Sequence, residues 1–281
     1  MTSSEHLPTS AEVAPSFHEL PDGARLAYDD KGTGRPLVLI HGMCMTRRYF
    51  DRNFDALADR FRVVRVDLRS HGDSPASEGS NTVAQYARDL KHFVDTLGLE
   101  QPVLAGWSMG TLTIWDAIRQ FGPDWIGAHV NISQGPSDLV RDDWPLGAFR
   151  MEDFLGLVAG AQADYRATMD HVIPLMLKDA PSPEEHAFLL DEVLKIGPNC
   201  GTLCIADQSV QDYRDVVGTY ELPTLMTWGR DEKLISVAVG EWLAERQKGA
   251  ELTMFEESGH CPMWEEPEKF NQVVGDWIAA L

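Results

Sequence analysis

A serine set between two glycines, where an apolar run meets a helical pattern, is the most chemically loaded feature of this chain. Residues 103–110 read Val-Leu-Ala-Gly-Trp-Ser-Met-Gly, and the helical periodicity of Thr111–Phe121 follows at once. A strand passing through Gly-x-Ser-x-Gly into a helix predicts a sharp turn that lifts the Ser108 hydroxyl clear of a sheet. Gly106 and Gly110 stand where strand and helix pass too close for a Cβ. The helix also aims its first amides at the turn, so the Met109 N–H is a candidate donor to a developing oxyanion. The bland alternative is chance in a chain with 23 glycines, and the strand–turn–helix context weighs against it.

A serine hydroxyl is a poor nucleophile near neutral pH. It needs a base to take its proton and an acid to hold that base in the right tautomer. With a nucleophile in such a turn, the order along the chain is serine, then acid, then histidine. The run Leu222–Trp228 ends in Gly229-Arg230-Asp231, and the run Leu252–Phe255 ends in Glu256-Glu257-Ser258-Gly259-His260. Both are strand exits of the kind found at the carboxyl edge of a parallel sheet, where ligands bind. Asp231 is therefore expected as the orienting acid and His260 as the general base, with Glu232 and Asp138 as competing acids. His41-Gly42-Met43-Cys44 closes a further apolar run, Pro36–His41, and Gly42 lets the backbone turn so that the Met43 N–H becomes a second oxyanion donor. His41 itself reads as a buried, hydrogen-bonded residue that fixes this loop. Trp107, Cys44, Phe154, Met176 and Cys261 are the side chains expected around the substrate pocket.

The polar loop Asp67–Ser74 offers Asp67, His71 and Asp73 as a conceivable metal cluster. An internally bonded turn, with Arg69 pairing a carboxylate, is the simpler expectation. Cys200 and Cys204 are one helical turn apart, but no second Cys/His pair has zinc-site spacing. No metal and no cofactor are expected.

The elements that must position these groups alternate. Ser16–Tyr28 reads as a hairpin around Pro21-Asp22-Gly23; Pro36–His41, Phe61–Asp67, Pro102–Trp107 and Ala128–Ser133 read as strands; Tyr49–Asp59 and Thr82–Leu97 read as helices, the latter ended by Gly98. Such alternation predicts an α/β fold with a mostly parallel, doubly wound sheet. From Gln134 to Val217 the patterns turn helical, over Phe149–Ala161, Ala163–Leu177, Glu184–Ile196 and Gly201–Val216. We read residues 134–217 as a helical cap inserted into a core of 17–133 and 218–281. Strand patterns return at Pro223–Trp228 and Glu251–Phe255, and a last helix is expected over Glu266–Leu281. The polar stretch 1–16 reads as a mobile arm and lacks the apolar core of a secretory signal.

The bulk numbers narrow the partners. The chain has 281 residues, 24 Lys plus Arg against 44 Asp plus Glu, and a formal charge of −20. A field of that sign repels phosphate backbones and anionic lipid, so neither nucleic acid nor a membrane is expected as a partner. No apolar stretch is long enough to span a bilayer. Four scattered cysteines without a framework pattern fit reduced thiols in the cytoplasm. A small hydrophobic molecule is the expected partner, and the oligomeric state is left open.

Taken together, His41-Gly42, Asp67–Ser74, Gly106–Gly110, Gly229-Arg230-Asp231 and Ser258-Gly259-His260 resemble the α/β-hydrolase superfamily. The phrases DGARLAYDDKGTGRPLVLIHG, DLRSHGDS, GWSMG and LPTLMTWGRDEKLI look most like its cofactor-free haloperoxidase, esterase and lactonase group. Trp107 and Thr111 depart from these haloperoxidases, which often have Phe and Gly there. The resemblance implies the α/β-hydrolase fold with a cap. It implies Ser108 as nucleophile, His260 as base, Asp231 as acid, and the Met43 and Met109 amides as an oxyanion hole. The implied activity is hydrolysis of a small to medium hydrophobic ester or lactone through an acyl-enzyme. C–C bond hydrolysis of a diketone-like substrate, perhydrolysis, and a non-catalytic ligand receptor are the other readings.

Overall fold

The short Val-, Leu- and Ile-rich runs become strands because their side chains can be buried on both faces of one sheet. The computed structural model describes residues 14–281. Of the arm expected over 1–16, residues 1–13 lie outside the described residues, and Ser16 already opens the first strand. The strands are β1 (Ser16–Glu19), β2 (Arg25–Lys31), β3 (Pro36–Ile40), β4 (Arg62–Val66), β5 (Val103–Trp107), β6 (Ala128–Ile132), β7 (Thr224–Gly229) and β8 (Ala250–Phe255). The helices are α1 (Phe54–Ala58), α2 (Val83–Thr96), α3 (Met109–Phe121), α4 (Met151–Ala163), α5 (Tyr165–Met176), α6 (Pro183–Val193), α7 (Pro198–Ser209), α8 (Val237–Arg246), α9 (Pro262–Glu265) and α10 (Pro267–Ala279).

The strands form one sheet in the order β1-β2-β4-β3-β5-β6-β7-β8. The pairs β1/β2 and β2/β4 are antiparallel and the rest are parallel. Every residue of β5, β6 and β7 is buried, as their continuous apolar runs require. The chain steps from β3 outward to β4 and then crosses back over β3 to β5. That reversal makes the carboxyl ends of β3 and β5 a topological switch point, where open α/β sheets bind ligands. The helices flank the sheet; α2 packs on α3, and α1 on α10.

Between β6 and β7 the chain leaves the sheet for the helices α4–α7, which pack on one another. This helical block reaches back to the carboxyl edge of the sheet. Gln208 of α7 meets Asp138, Met176 of α5 meets the loop after β8, and α7 meets the loop after β3 through Gly201 and Cys44. Among the described residues no helix is long and apolar enough to cross a membrane.

Local signals account for most element ends. Thr82 accepts from the Gln85 amide and starts α2, and Gly98, at φ 60°, follows its end. Four details differ from the sequence expectation. Tyr49–Asp59 is a 3-10 turn at Arg47–Phe50 followed by the short α1, because Asn53 breaks the run and binds Met263 and Asn271 instead. The pattern over Gly201–Val216 ends as a helix at Ser209, and Tyr213 then turns back to the Pro136 carbonyl. Neither α8 nor α9 was foreseen, since ten and four residues carry little periodic signal. Finally, α3 begins at Met109, directly after the serine.

The crossing of β5 and α3 leaves no room for a side chain. A Cβ on Gly110 would collide with the Ile40 carbonyl, and one on Gly106 with the backbone of Gly110 and Thr111. The colliding atoms are backbone and cannot swing aside. Gly110→Ala is expected to lower stability by about 1–3 kcal/mol or to prevent folding. A denaturation midpoint equal to that of the parent chain would contradict the packing described.

Candidate active site

Ser108 sits at φ 51° and ψ −121°, a conformation that costs an L-residue on the order of 1–3 kcal/mol. It persists because β5 and α3 fix both sides of the turn. The hydroxyl is thereby placed at the carboxyl edge of the sheet, as the sequence predicts. The Met109 amide opens α3 and has no hydrogen-bond partner among the described residues. The same holds for the Met43 amide, which follows β3. A Cβ on Gly42 would stand 3.2 Å from Ser108 Cβ and 3.3 Å from the Trp107 ring, so a glycine lets the Met43 loop close on the serine. Two free N–H groups thus lie on the chain segments beside Ser108, as an oxyanion hole needs.

His41 holds that loop from beneath. Its Nδ1 donates to the Gly42 carbonyl (2.8 Å), and its Nε2 accepts from the Leu68 amide (3.0 Å). Burial, with the neighbouring His71, pushes its pKa well below the ordinary histidine value, so it is a neutral strut. Arg69 pairs with Asp89 at 2.8 and 2.9 Å and with Asp22 at 2.6 Å, the carboxylate pairing expected for this loop. Asp67 accepts from the Arg47 amide (2.7 Å) and the Asp73 amide (2.9 Å) and pairs with the Arg47 guanidinium. Burial raises its pKa to about 6 against the pull of Arg47.

His260 lies in the loop after β8. Its amide donates to the Met176 carbonyl (2.8 Å), and its carbonyl accepts from Trp107 Nε1 (2.9 Å). The Trp107 and His260 rings are 5.8 Å apart, which sets the histidine beside the residue that precedes Ser108. The acid bound to it is Glu232, not Asp231. Glu232 Oε2 stands 2.7 Å from His260 Nδ1, and its side chain is fully buried. The expectation for Asp231 is corrected by the backbone. After β7, Arg230 donates to the Phe255 carbonyl and Asp231 to the Ser258 carbonyl. That register turns the Asp231 side chain outward, 46% exposed, onto Lys178 at 3.2 Å. The next residue points inward, and the longer glutamate spans the gap.

Two further features escaped the sequence. Glu265 Oε1 accepts from the Lys178 amide (2.6 Å) and its Oε2 from the Gly259 amide (2.8 Å), tying the His260 loop to the end of α5. Burial raises its pKa to about 7, against the pull of these amides. Gln134, just past β6, has its Oε1 3.2 Å from Ser108 Oγ. In this structure the Ser108 hydroxyl donates to Gln134. The only forewarning of either residue was its place next to a strand exit or to His260.

The expected pocket side chains fall into different surroundings. Trp107 is buried, stacked on Tyr49 with centroids 5.1 Å apart, and braces the His260 loop. Cys44, at φ 61°, has its Sγ 3.6 Å from the Gly201 carbonyl. Cys261 is buried, and burial pushes its thiol pKa well up. Met176 contributes its carbonyl to His260 and packs its side chain into the hydrophobic core. Phe154 is buried yet stands outside that continuous core.

Residues 37–273 match the model of the alpha/beta hydrolase family. The chain is 28% identical over 258 residues to the AB hydrolase superfamily protein YisY of Bacillus subtilis, covering 90% of this chain and 94% of that protein. It is 29% identical over 270 residues to a 2-hydroxy-6-oxononadienedioate/2-hydroxy-6-oxononatrienedioate hydrolase of Paraburkholderia phymatum, covering 90% of this chain and 91% of the other. Among solved structures, an esterase from Exiguobacterium antarcticum superposes with a TM-score of 0.88 at 22% identity, covering 94% of this chain and 99% of that one.

The Glu232–His260 contact predicts a specific signature. A strongly downfield imidazole Nδ1–H resonance is expected in the parent chain and in Asp231→Asn. It should be lost or moved far upfield in Glu232→Gln, measured by proton NMR with 15N-labelled histidine. A signal that survives Glu232→Gln and disappears in Asp231→Asn would restore Asp231 as the partner.

Proposed function

Because the chain belongs to the alpha/beta hydrolase family, a family of enzymes that hydrolyse their substrates, we propose that it is a serine hydrolase acting on a small to medium hydrophobic carboxylic ester or lactone. The observation that carries this reading is the pairing of an inward, buried Glu232 with His260 beside the strained Ser108 turn. A carboxylate on Nδ1 fixes the proton there and leaves Nε2 as the base. Ser108 Oγ turns from Gln134 to His260, loses its proton to Nε2 and attacks the carbonyl carbon. The Met43 and Met109 amides receive the oxyanion. His260 then protonates the leaving alcohol, and an acyl group remains on Ser108. Water, deprotonated by His260, attacks that acyl group and releases the acid.

The helical block over residues 134–217 serves as the cap in this reading, with Phe154 as a wall of an apolar pocket. Hydrolysis of a C–C bond next to a ketone is a second reading, favoured by the relative from Paraburkholderia phymatum and compatible with the same three side chains.

Chromogenic esters of graded acyl length test the assignment. The parent chain is expected to hydrolyse them, and Ser108→Ala and Glu232→Gln to lower kcat by about 10⁴–10⁶ and about 10⁴ respectively. Asp231→Asn removes an exposed pair with Lys178 and is expected to stay within roughly fivefold of the parent. Substantial turnover by Ser108→Ala would refute the mechanism.

Phe154→Ala is expected to move the acyl-length optimum toward longer chains, with roughly 1–3 kcal/mol of discrimination per methylene accommodated. An unchanged profile would place Phe154 in helix packing alone.

A further inference from the structure

The Ser108 hydroxyl begins a chain of buried polar groups that the hydrolytic mechanism does not use. Gln134 Oε1 is 3.2 Å from Ser108 Oγ, and Gln134 Nε2 donates to Asp138 Oδ1 (2.8 Å) and to the Gly135 carbonyl (2.8 Å). Asp138 Oδ2 accepts from Gln208 Nε2 at 2.8 Å. Gln134, Asp138 and Gln208 are 0, 2 and 5% exposed. The first two follow β6, and Gln208 comes from α7, so the chain spans the junction between sheet and helical block.

Three properties make this more than a structural tie. Asp138 is a buried carboxylate with no cation paired to it among the described residues. Burial raises its pKa, while the two amides and the nearby His260 lower it. Its placement is therefore costly unless its remaining lone pairs are used. Gln208 Oε1 is buried without a hydrogen-bond partner among the described residues. One N–H of Gln208 has no partner either, whereas both N–H groups of Gln134 are engaged. The unmet groups are thus acceptors on Asp138 and Gln208 and one donor on Gln208.

Resting on the serine hydrolase reading, we propose that Gln134, Asp138 and Gln208 form a specificity subsite for a hydroxyl group on the acyl chain of the substrate, close to the scissile carbonyl. A hydroxyl both donates and accepts, so it answers the carboxylate and the free amide N–H together. An ammonium or an amide N–H brings only donors and would leave the Gln208 N–H unmet. A methyl group would leave every one of these groups unmet. The acyl side is favoured because the chain starts at Ser108 Oγ, the atom that carries the acyl group. A hydroxyl there stays beside the subsite through acylation and deacylation.

The test compares ethyl butyrate with the separate enantiomers of ethyl 2-hydroxybutyrate and ethyl 3-hydroxybutyrate, by pH-stat on the intact chain. Each kcat/KM is divided by the alkaline hydrolysis rate of the same ester to remove intrinsic reactivity. One hydroxylated enantiomer is expected to exceed ethyl butyrate by roughly tenfold or more, the scale of one satisfied buried hydrogen bond. In Gln208→Met and in Asp138→Asn, each checked for folding by thermal melting, that ratio is expected to collapse toward one. Gln208→Met keeps the side-chain volume, so the test survives if Asp138→Asn does not fold. Cleavage of all the esters with no preference would overturn the subsite and leave the hydrolase reading standing. A preference that persists in Gln208→Met would also overturn the subsite. If none of the esters is cleaved, the subsite and the ester hydrolase reading fall together.

Discussion

The close passage of β5 and α3 at Ser108 is the constraint on which the site rests. Only glycine at 106 and 110 lets the helix begin against the strand, and the Ile40 carbonyl of β3 fills the space a Cβ would take. The turn forces Ser108 to φ 51°, a strain that packing on both sides must hold. The same approach sets the first amide of α3 beside the hydroxyl, and Gly42 lets the Met43 loop close from the neighbouring strand. The Ser108 turn and the two free amides beside it are therefore products of one steric arrangement at the switch point of the sheet.

The surrounding loops are held by buried polar groups that satisfy backbone atoms, not by apolar packing alone. His41 binds Gly42 and Leu68, Asp67 binds Arg47 and Asp73, and Glu265 binds Lys178 and Gly259. Each joins two segments that are distant in the chain. Losing one partner strands a buried donor or acceptor at about 1–3 kcal/mol, so these loops resist small displacements. Glu265 and the Met176 carbonyl also fasten the His260 loop to α5. The position of the helical block and the position of the histidine are consequently coupled.

What could be read from the sequence was what local rules decide. Gly-x-Ser-x-Gly between a strand and a helix depends on neighbours within a few residues, and the structure sets Ser108 in the turn between β5 and α3 that this pattern implies. The choice between Asp231 and Glu232 was not legible. It turns on which carbonyls at the end of β8 and in the loop after it accept from Arg230 and Asp231, a long-range register that no spacing rule encodes. Gln134, Gln208 and Glu265 belong to no motif, and only the fold brings them to the site. The short helices α8 and α9 were missed because their few residues carry no clear period.

The central claim is that this fold activates Ser108 through His260, and a small fluorophosphonate tests it most directly, since it requires only an activated hydroxyl and an oxyanion hole. Peptide mapping after exposure is predicted to find a single adduct on Ser108, formed far more slowly in His260→Gln. An adduct on any other residue, none at high reagent concentration, or equal labelling in His260→Gln would contradict it.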